Sequence, residues 1–254
     1  MTKMLEKAPV LLQQPLDEKT FRLRLGAAQI ARQVQPGQFV HIKLLAPGGS
    51  LLRHPFGVAA VDVDGGTLDI IYRVTGPFTR VLTTLAVTNE VSVLGPLGQG
   101  FDLSAQRALL VGGGTGLAPL LFLSARLGPS KTDVLIGGKT ETELFWQDLF
   151  RPFVGHAFVT TDDGSCGTRG TVMAVLPGLL SKGYDRIYTC GPSPMMKAVA
   201  HECMLRRIAC QVSLEKYMAC GLGACLSCTC QGREKRMKIC TDGPVFWSSE
   251  VTEW

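Results

Sequence analysis

The sequence contains no run of about 18 apolar residues, the length that a transmembrane helix requires, so no membrane partner is expected. Its first residues lack the apolar stretch of a secretory signal, which predicts a cytoplasmic protein. A dense tract of lysine and arginine with interleaved aromatic residues is also absent, so no nucleic-acid partner is expected. The net charge of +5 is modest, and the short basic run 232–238 is interpreted as a solvated hairpin tip. Repeats and low-complexity segments are absent too.

Apolar residues and glycine are plentiful: 46% of the 254 residues are hydrophobic and 29 are glycine. This composition is typical of a globular protein, and the length permits one large domain or two to three small ones. The nine cysteines are an odd number. In a reducing cytoplasm, thiols are better explained as ligands than as disulfides.

Four cysteines near the C-terminus have the spacing of a metal cluster. Cys220, Cys225 and Cys228 form a C-x4-C-x2-C run, and Cys240 follows after eleven intervening residues. Plant-type [2Fe–2S] proteins use this spacing, because four thiolates complete the tetrahedra of two irons. A structural zinc site is the alternative, although zinc sites more often combine two close C-x2-C pairs. The spacing therefore favours a one-electron redox centre.

Residues 1–102 predict a β domain. Apolar and polar residues alternate in four expected strands, at 21–25, 39–43, 68–74 and 90–94. Turn signals separate the strands, at 36–37, 47–49 and 64–66. Short strands at this spacing favour a small antiparallel barrel.

Residues 103–211 alternate strands with helices. The expected strands are 108–111, 133–136, 158–161 and 186–189, and the expected helices are 117–127, 142–150, 172–181 and 194–206. This alternation predicts parallel βαβ units in an open, doubly wound sheet. Residues 212–254 hold the spaced cysteines and are expected to form a small cluster-binding module. The predicted fold class is therefore α+β multidomain, with a barrel, a doubly wound α/β domain and a small C-terminal module.

Two loops are expected at the carboxyl edge of the sheet, where ligands bind open α/β folds. The first comprises Gly112, Gly113, Gly114, Thr115 and Gly116; glycines allow close backbone approach, and the helix that follows offers free N–H groups to a phosphate. Leu117 occupies the third glycine position of a G-x-G-x-x-G motif. The second loop comprises Cys190, Gly191 and Pro192. From the residues alone, a plain glycine-rich turn and a structural turn with a buried thiol are the alternatives.

In this order, the three parts resemble the ferredoxin-reductase superfamily, in which a flavin barrel precedes a nicotinamide-nucleotide domain. Within it, the chain is similar to the electron-transfer subunits of type B (NAD-dependent) dihydroorotate dehydrogenase over nearly its whole length. The segments that carry the resemblance are 93–100, 112–119, 161–164, 190–195, 213–230 and 238–246. The cysteine segment with the following 242–246 is the most specific.

The resemblance implies one FAD in the barrel, NAD as substrate on the sheet, and one [2Fe–2S] cluster at the C-terminus. The implied ligands are Cys220, Cys225, Cys228 and Cys240, whereas Cys230 fits the family pattern but is not a ligand there. The implied FAD contacts are His54, Pro55, Phe56, Gly57, Ile71, Tyr72, Arg73, Phe78 and Thr79. The implied NAD contacts lie on the two loops at the edge of the sheet.

Two stretches depart from the family pattern. The family usually has Arg-Pro-x-Ser where this chain has residues 54–57, so His54 replaces a permanent charge with a group that titrates near neutrality, and Gly57 removes a hydroxyl. The family's Gly-x-Gly-Thr turn reads Gly-Pro-Phe-Thr at 76–79. Arg53 and Arg73 are expected to supply the positive charge.

The resemblance implies an electron-transfer subunit of pyrimidine biosynthesis and no acid–base catalytic residue in this chain. Electrons would pass from an FMN-containing catalytic subunit through the cluster and FAD to NAD+, in a heterotetramer of two plus two chains. One alternative is an FAD/[2Fe–2S] subunit of a hydrogenase, a sulfite reductase or a ferredoxin–nicotinamide oxidoreductase. Another is a non-enzymatic sensor or structural zinc protein, which would be colourless. The preference for NAD over NADP rests on the resemblance. Lys139 does not decide it, because this residue is interpreted either as a partner of a 2′-phosphate or as a solvated loop lysine.

Overall fold

The computed structural model describes residues 2–45 and 50–254. Its N-terminal part is a closed barrel with the strand order β1-β2-β5-β4-β3-β6. The strands are β1 (Met4–Pro15), β2 (Thr20–Gly26), β3 (Phe39–Leu44), β4 (His54–Asp62), β5 (Thr67–Arg73) and β6 (Glu90–Leu97). Two short helices accompany them, α1 (Ala28–Ala31) and α2 (Pro77–Thr83). The predicted antiparallel barrel is confirmed.

The four predicted barrel strands correspond to β2, β3, β5 and β6, each within a few residues of the expected bounds. The four strands expected from alternation do not include β1 and β4. Pro9 and Pro15 interrupt the apolar alternation of β1, which nevertheless pairs with β2 on one side and β6 on the other. The turn signal at 47–49 lies outside the described residues.

A buried ion-pair cluster joins β2 to β5 in the barrel. The Asp69 side chain is 3% exposed and accepts hydrogen bonds from Arg22 Nε (2.8 Å) and Arg24 Nε (2.8 Å). Both arginines keep contact with solvent, at 26% and 39% exposure. A carboxylate buried under two guanidinium groups is costly to remove, because the remaining positive charges lose their partner.

We expect Asp69→Asn to lower the free energy of unfolding by about 2 kcal/mol, less than the ~3–5 kcal/mol of a fully buried pair because both arginines remain solvated. Urea unfolding would measure this change. Asp148→Asn is the matched control, since Asp148 pairs with Arg151 at 76% and 79% exposure, and it should change stability by less than about 1 kcal/mol. Equal effects of the two variants would contradict the structural role of Asp69.

The second part is a seven-stranded sheet with the order β10-β9-β8-β7-β11-β12-β15. Its strands are β7 (Ala108–Gly113), β8 (Thr132–Gly138), β9 (Ala157–Thr161), β10 (Thr168–Arg169), β11 (Arg186–Cys190), β12 (Ala209–Ser213) and β15 (Val245–Trp247). The strands from β10 to β12 pair in parallel, and β15 runs antiparallel to β12. After β10 the chain returns to the other side of β7, where β11 pairs with it, so the strand order reverses at β7. The predicted doubly wound sheet is therefore confirmed.

The helices of this part are α3 (Leu117–Leu127), α4 (Trp146–Phe150), α5 (Leu176–Leu180) and α6 (Ser193–Leu205). α3 and α6 match the predicted helices. The predicted helix 142–150 is instead a 3-10 turn at Glu141–Glu143 followed by α4. The predicted helix 172–181 is also divided, because Pro177 has no N–H to continue a preceding helix and sits in the first turn of α5.

The C-terminal segment contains a small hairpin, β13 (Thr229–Gln231) and β14 (Arg236–Lys238), whose exposed tip confirms the interpretation of the basic run. The segment then returns to the α/β sheet through β15. The predicted boundary between 211 and 212 falls within β12, and the three domain ranges stay predictions. Within residues 2–45 and 50–254, no helix has the length and apolar character needed to cross a membrane.

Candidate functional site

The four spaced cysteines lie as two pairs on the loop after β12 and beside β14. The Cys220 Sγ accepts hydrogen bonds from the N–H groups of Leu222 (3.3 Å) and Cys225 (3.5 Å). Cys228 and Cys240 are both buried, and Cys228 lies close enough to raise the pKa of the Cys240 thiol. Two pairs fit a two-iron cluster, in which each iron takes two thiolates. Among the described residues, no three His, Cys, Asp or Glu side chains are grouped to hold a single metal ion.

The two pairs differ in burial and acidity. Cys225 is exposed, and hydrogen bonds from the side chain and backbone of Ser227 lower its pKa to about 6. Cys240 is buried, and this burial together with Cys228 raises its pKa to about 12. Cys225 is therefore a thiolate at neutral pH, the form that binds metal, whereas Cys240 must release a proton on ligation.

The loop between Cys220 and Cys225 depends on two glycines with positive φ. Gly221 has φ +69° and Gly223 has φ +82°. A Cβ on Gly223 would lie 2.9 Å from Thr241 Cγ2. The loop therefore needs glycine for its backbone conformation and for its close packing.

The imidazole of His41 on β3 lies against this loop. A Cβ on Gly221 would be 2.8 Å from His41 Cε1 and about 3 Å from both ring nitrogens, at 3.0 and 3.1 Å. His41 is fully buried, which lowers its pKa to about 4, so the ring is neutral at pH 7. His41 is not among the residues expected at this site, because no local motif marks a strand histidine as a neighbour of a loop 180 residues later.

The predicted FAD contacts on β4 divide between its two faces. Alternation sends the His54 and Phe56 rings toward Phe78, with centroids 3.8 and 6.0 Å from that ring. Gly57 lies on the outer face, where a Cβ would be 3.6 Å from Pro119 of α3. The outer face carrying Pro55 and Gly57 is therefore turned toward the α/β domain.

The predicted contacts on β5 and α2 include three buried side chains, Ile71, Tyr72 and Phe78. The Tyr72 hydroxyl accepts a hydrogen bond from Gln13 Nε2 (2.6 Å), and burial raises the pKa of Tyr72 to about 12. The structure thus places Tyr72 as a neutral, internally bonded phenol in the barrel wall. Arg73, at the end of β5, is exposed.

Thr79 shapes the turn before α2. Its hydroxyl accepts the N–H groups of Thr75 (3.0 Å) and Gly76 (3.1 Å), and a Cβ on Gly76 would meet nothing within 4 Å. The turn therefore leaves open space beside the backbone, which fits a group that approaches closely, such as the FAD pyrophosphate.

The two arginines expected to supply charge have different environments. The Arg53 guanidinium donates to the carbonyl and hydroxyl oxygens of Ser92 on β6, both at 2.9 Å. Arg53 is thus held in the barrel wall, where it keeps its positive charge, and its expected role toward FAD stays a prediction. Arg73 pairs with Glu143 of the α/β domain at 3.2 Å, in a cleft that Gly114 and Thr115 also line. Glu143 has no sequence signal for this role, since the pair joins residues 70 positions apart.

The two predicted nucleotide loops are in direct backbone contact at the carboxyl ends of β7 and β11. A Cβ on Gly116 would be 2.5 Å from both Cα and N of Gly191. Gly191 itself has φ +146° and would place a Cβ 2.8 Å from Gly113 O. Gly114, with φ +58°, faces open space. The loops form one surface whose backbone is open at Gly114, which fits a closely approaching nucleotide.

The side chains that flank the two loops offer few groups for binding a nucleotide. Cys190 is 1% exposed, and burial raises the pKa of its thiol far above the usual range, so it is a packed neutral group. Lys139 is exposed in the loop after β8, where its N–H donates to Glu143 (3.0 Å). The structure therefore gives Lys139 a solvated position without assigning it a phosphate.

The sequence and fold were compared with known proteins. Residues 215–252 match the iron–sulfur cluster binding domain of dihydroorotate dehydrogenase B. The chain is 41% identical to the dihydroorotate dehydrogenase B (NAD+) electron transfer subunit of Bacillus caldolyticus, covering 97% of this chain and 98% of that one. It is 40% identical to the Geobacillus thermodenitrificans protein of the same name, with the same coverage. A chain of the NADH-dependent reduced ferredoxin-NADP oxidoreductase structure superposes with a TM-score of 0.86 and 27% identity, over 98% of this chain and 90% of that one.

Proposed function

Because the chain belongs to the family of dihydroorotate dehydrogenase B electron transfer subunits, we propose that it transfers electrons from a dihydroorotate-oxidising partner subunit to NAD+. When bound, a [2Fe–2S] cluster carries single electrons and FAD interconverts one- and two-electron transfer, as reduction of NAD+ requires. The proposal assigns the chain to pyrimidine biosynthesis.

The arrangement of the barrel between the other two sites carries this proposal. On β3, His41 lies against Gly221 of the cysteine loop, and on the adjacent strand β4, Gly57 faces Pro119 of the α/β domain. The barrel strands with the predicted FAD residues thus lie between the cysteine pairs and the nucleotide loops. This order, cluster then flavin then nucleotide, is the order that the electron path requires.

Each group of residues has a binding or positioning role in this proposal. Cys220, Cys225, Cys228 and Cys240 hold the cluster. The outer face of β4 with Pro55 and Gly57, together with Ile71, Arg73 and the open turn at Thr79, binds FAD. The rings of His54, Phe56, Tyr72 and Phe78 support that face through two stacked contacts and one edge-to-face contact. The loops 112–116 and 190–192 bind NAD, and no residue of the chain moves a proton.

We also propose the partner and the compartment. The partner is an FMN-containing catalytic subunit, assembled with this chain as two plus two in the cytoplasm. The segment that carries Cys225 also has exposed side chains with large apolar parts, with Tyr217 97%, Leu226 61% and Leu222 44% exposed. Exposed apolar side chains in the segment of a one-electron centre suit contact with a redox partner.

Anaerobic co-expression with an FMN-bearing dihydroorotate dehydrogenase catalytic subunit tests the proposal. We expect the chains to copurify and to reduce NAD+ with dihydroorotate, whereas neither chain does so alone. A catalytic subunit that reduces NAD+ by itself, or chains that do not associate, would refute the assigned role while leaving the cofactors in place.

A second candidate is an FAD/[2Fe–2S] reductase subunit of another complex. The superposition on the oxidoreductase chain over 98% of the length favours it. The same purified chain would then support NAD(P)H-dependent reduction of ferredoxin with its own partner and would show no dihydroorotate-dependent activity with the FMN subunit.

A further inference from the structure

His41 is a buried polar side chain whose hydrogen-bonding capacity is unused. The residue is 0% exposed, and within the described residues neither Nδ1 nor Nε2 has a hydrogen-bond partner. A neutral imidazole carries one N–H donor and one lone pair. Leaving such groups unpaired in a dry interior is destabilising, so an apolar residue would be the more stable choice for packing alone.

The position of His41 links two of the proposed sites. The ring lies against Gly221, which follows Cys220, as the distances of 2.8 to 3.1 Å from a Gly221 Cβ show. On β3, His41 is directly opposite Pro55 of β4, a residue of the proposed FAD face. Opposite residues of antiparallel strands have their Cβ atoms about 4.5–5.5 Å apart on the same face. His41 therefore lies between the flavin face and the cysteine loop.

The surroundings specify what the imidazole can bond. Its neighbours on the barrel are Phe39, with ring centroids 5.6 Å apart, and the strand partners Pro55 and Leu94, which offer no side-chain acceptor. Across the interface lies the loop that carries Cys220, whose sulfur already accepts two backbone N–H groups. The loop that the His41 ring contacts at Gly221 therefore carries a sulfur acceptor on the preceding residue, Cys220.

We propose that His41 is a positioning residue whose imidazole N–H donates a hydrogen bond to a sulfur at the Cys220 end of the cluster and thereby raises the cluster potential. This inference rests on the proposed function only in requiring that the chain bind a [2Fe–2S] cluster. The reduced cluster carries one more negative charge than the oxidised one, so a donor stabilises it more. Hydrogen bonds to the sulfurs are among the factors that set such potentials.

Redox titration of the holoprotein, followed by electron paramagnetic resonance of the reduced cluster, tests this role. We expect His41→Phe, which keeps a ring but lacks the N–H, to reduce the ratio of reduced to oxidised cluster about tenfold at a fixed potential, equivalent to about −59 mV for one electron. His41→Gln retains an N–H donor and should recover part of the shift. His201→Phe is the matched control, because His201 is exposed on α6, and its potential should equal that of the wild type.

A measurement on the wild-type protein keeps the test independent of variant folding. With 15N-labelled histidine, the reduced cluster should show a hyperfine coupling to an imidazole nitrogen, and this coupling should be absent in His41→Phe. No coupling in the wild type, or equal potentials of His41→Phe and wild type at equal iron and sulfide content, would overturn the proposal. A wild-type protein without iron and sulfide would instead refute the cofactor assignment on which the proposed function depends.

Discussion

Replacement of Cys225 by alanine is expected to abolish dihydroorotate-dependent NAD+ reduction by the two-subunit complex while NADH oxidation with an artificial acceptor continues. The loss should be at least about 100-fold, since removal of a ligand exceeds the ~10–100-fold cost of removing an outer-shell partner. Cys225 is exposed, so its removal leaves no cavity. Steady-state assays with each electron donor, together with iron and sulfide analysis, would measure the effect.

Cys230→Ala is the matched control for this variant. Cys230 belongs to the same segment and is 1% exposed, but it is not among the proposed ligands. It should keep its iron, its sulfide and both activities, with only the small loss of stability that a shortened buried side chain brings. Loss of both activities in Cys225→Ala, or survival of both, would contradict the proposed order of the electron path.

Gly116→Ala is expected to damage the nucleotide site and the fold together. The added methyl group would lie 2.5 Å from the Gly191 backbone, and backbone cannot move aside as the end of a side chain can. We expect the two loops to separate, with a loss of about 2–3 kcal/mol in the free energy of unfolding. NADH affinity should fall roughly tenfold or more, which corresponds to about 1.4 kcal/mol. Urea unfolding and equilibrium titration with NADH would measure the two effects.

Gly178→Ala provides the opposite expectation in the same domain. Gly178 lies in α5, and a Cβ there would meet nothing within 4 Å. Alanine restricts the unfolded chain and favours the helix, so stability should rise by about 0.4–1 kcal/mol with unchanged NADH affinity. If Gly116→Ala behaved like Gly178→Ala, the contact between the two loops would not be needed for nucleotide binding.

Local sequence patterns predicted much of the fold. Alternation identified β2, β3, β5 and β6, and helical periodicity identified α3 and α6, because one buried face imposes a period of two on a strand and 3.6 on a helix. Patterning was insufficient for β1, where prolines interrupt the alternation, and for 172–181, where Pro177 divides an apolar segment. The return of β15 to the sheet has no local signal, since three residues carry too little periodicity.

The candidate sites likewise contain some features that local sequence predicted and others that it did not. The spacing of Cys220, Cys225, Cys228 and Cys240 and the glycine loop before α3 could be read directly, because these constraints lie within one short segment. Two contacts could not be predicted from the sequence: the hydrogen bonds of Arg53 to Ser92 and the ion pair of Arg73 with Glu143. In each contact a distant part of the chain supplies the partner.

Local sequence was sufficient for most element types, the order of the three parts and the chemistry of the cysteine segment, because those properties depend on near neighbours. The contact of Gly116 with Gly191 and the position of His41 against Gly221 depend on the folded arrangement of distant segments. Closure of the barrel and alignment of the parallel strands bring these residues together, and burial then removes water from His41. The hydrogen-bonding role proposed for the His41 imidazole therefore depends on the cysteine loop that covers it.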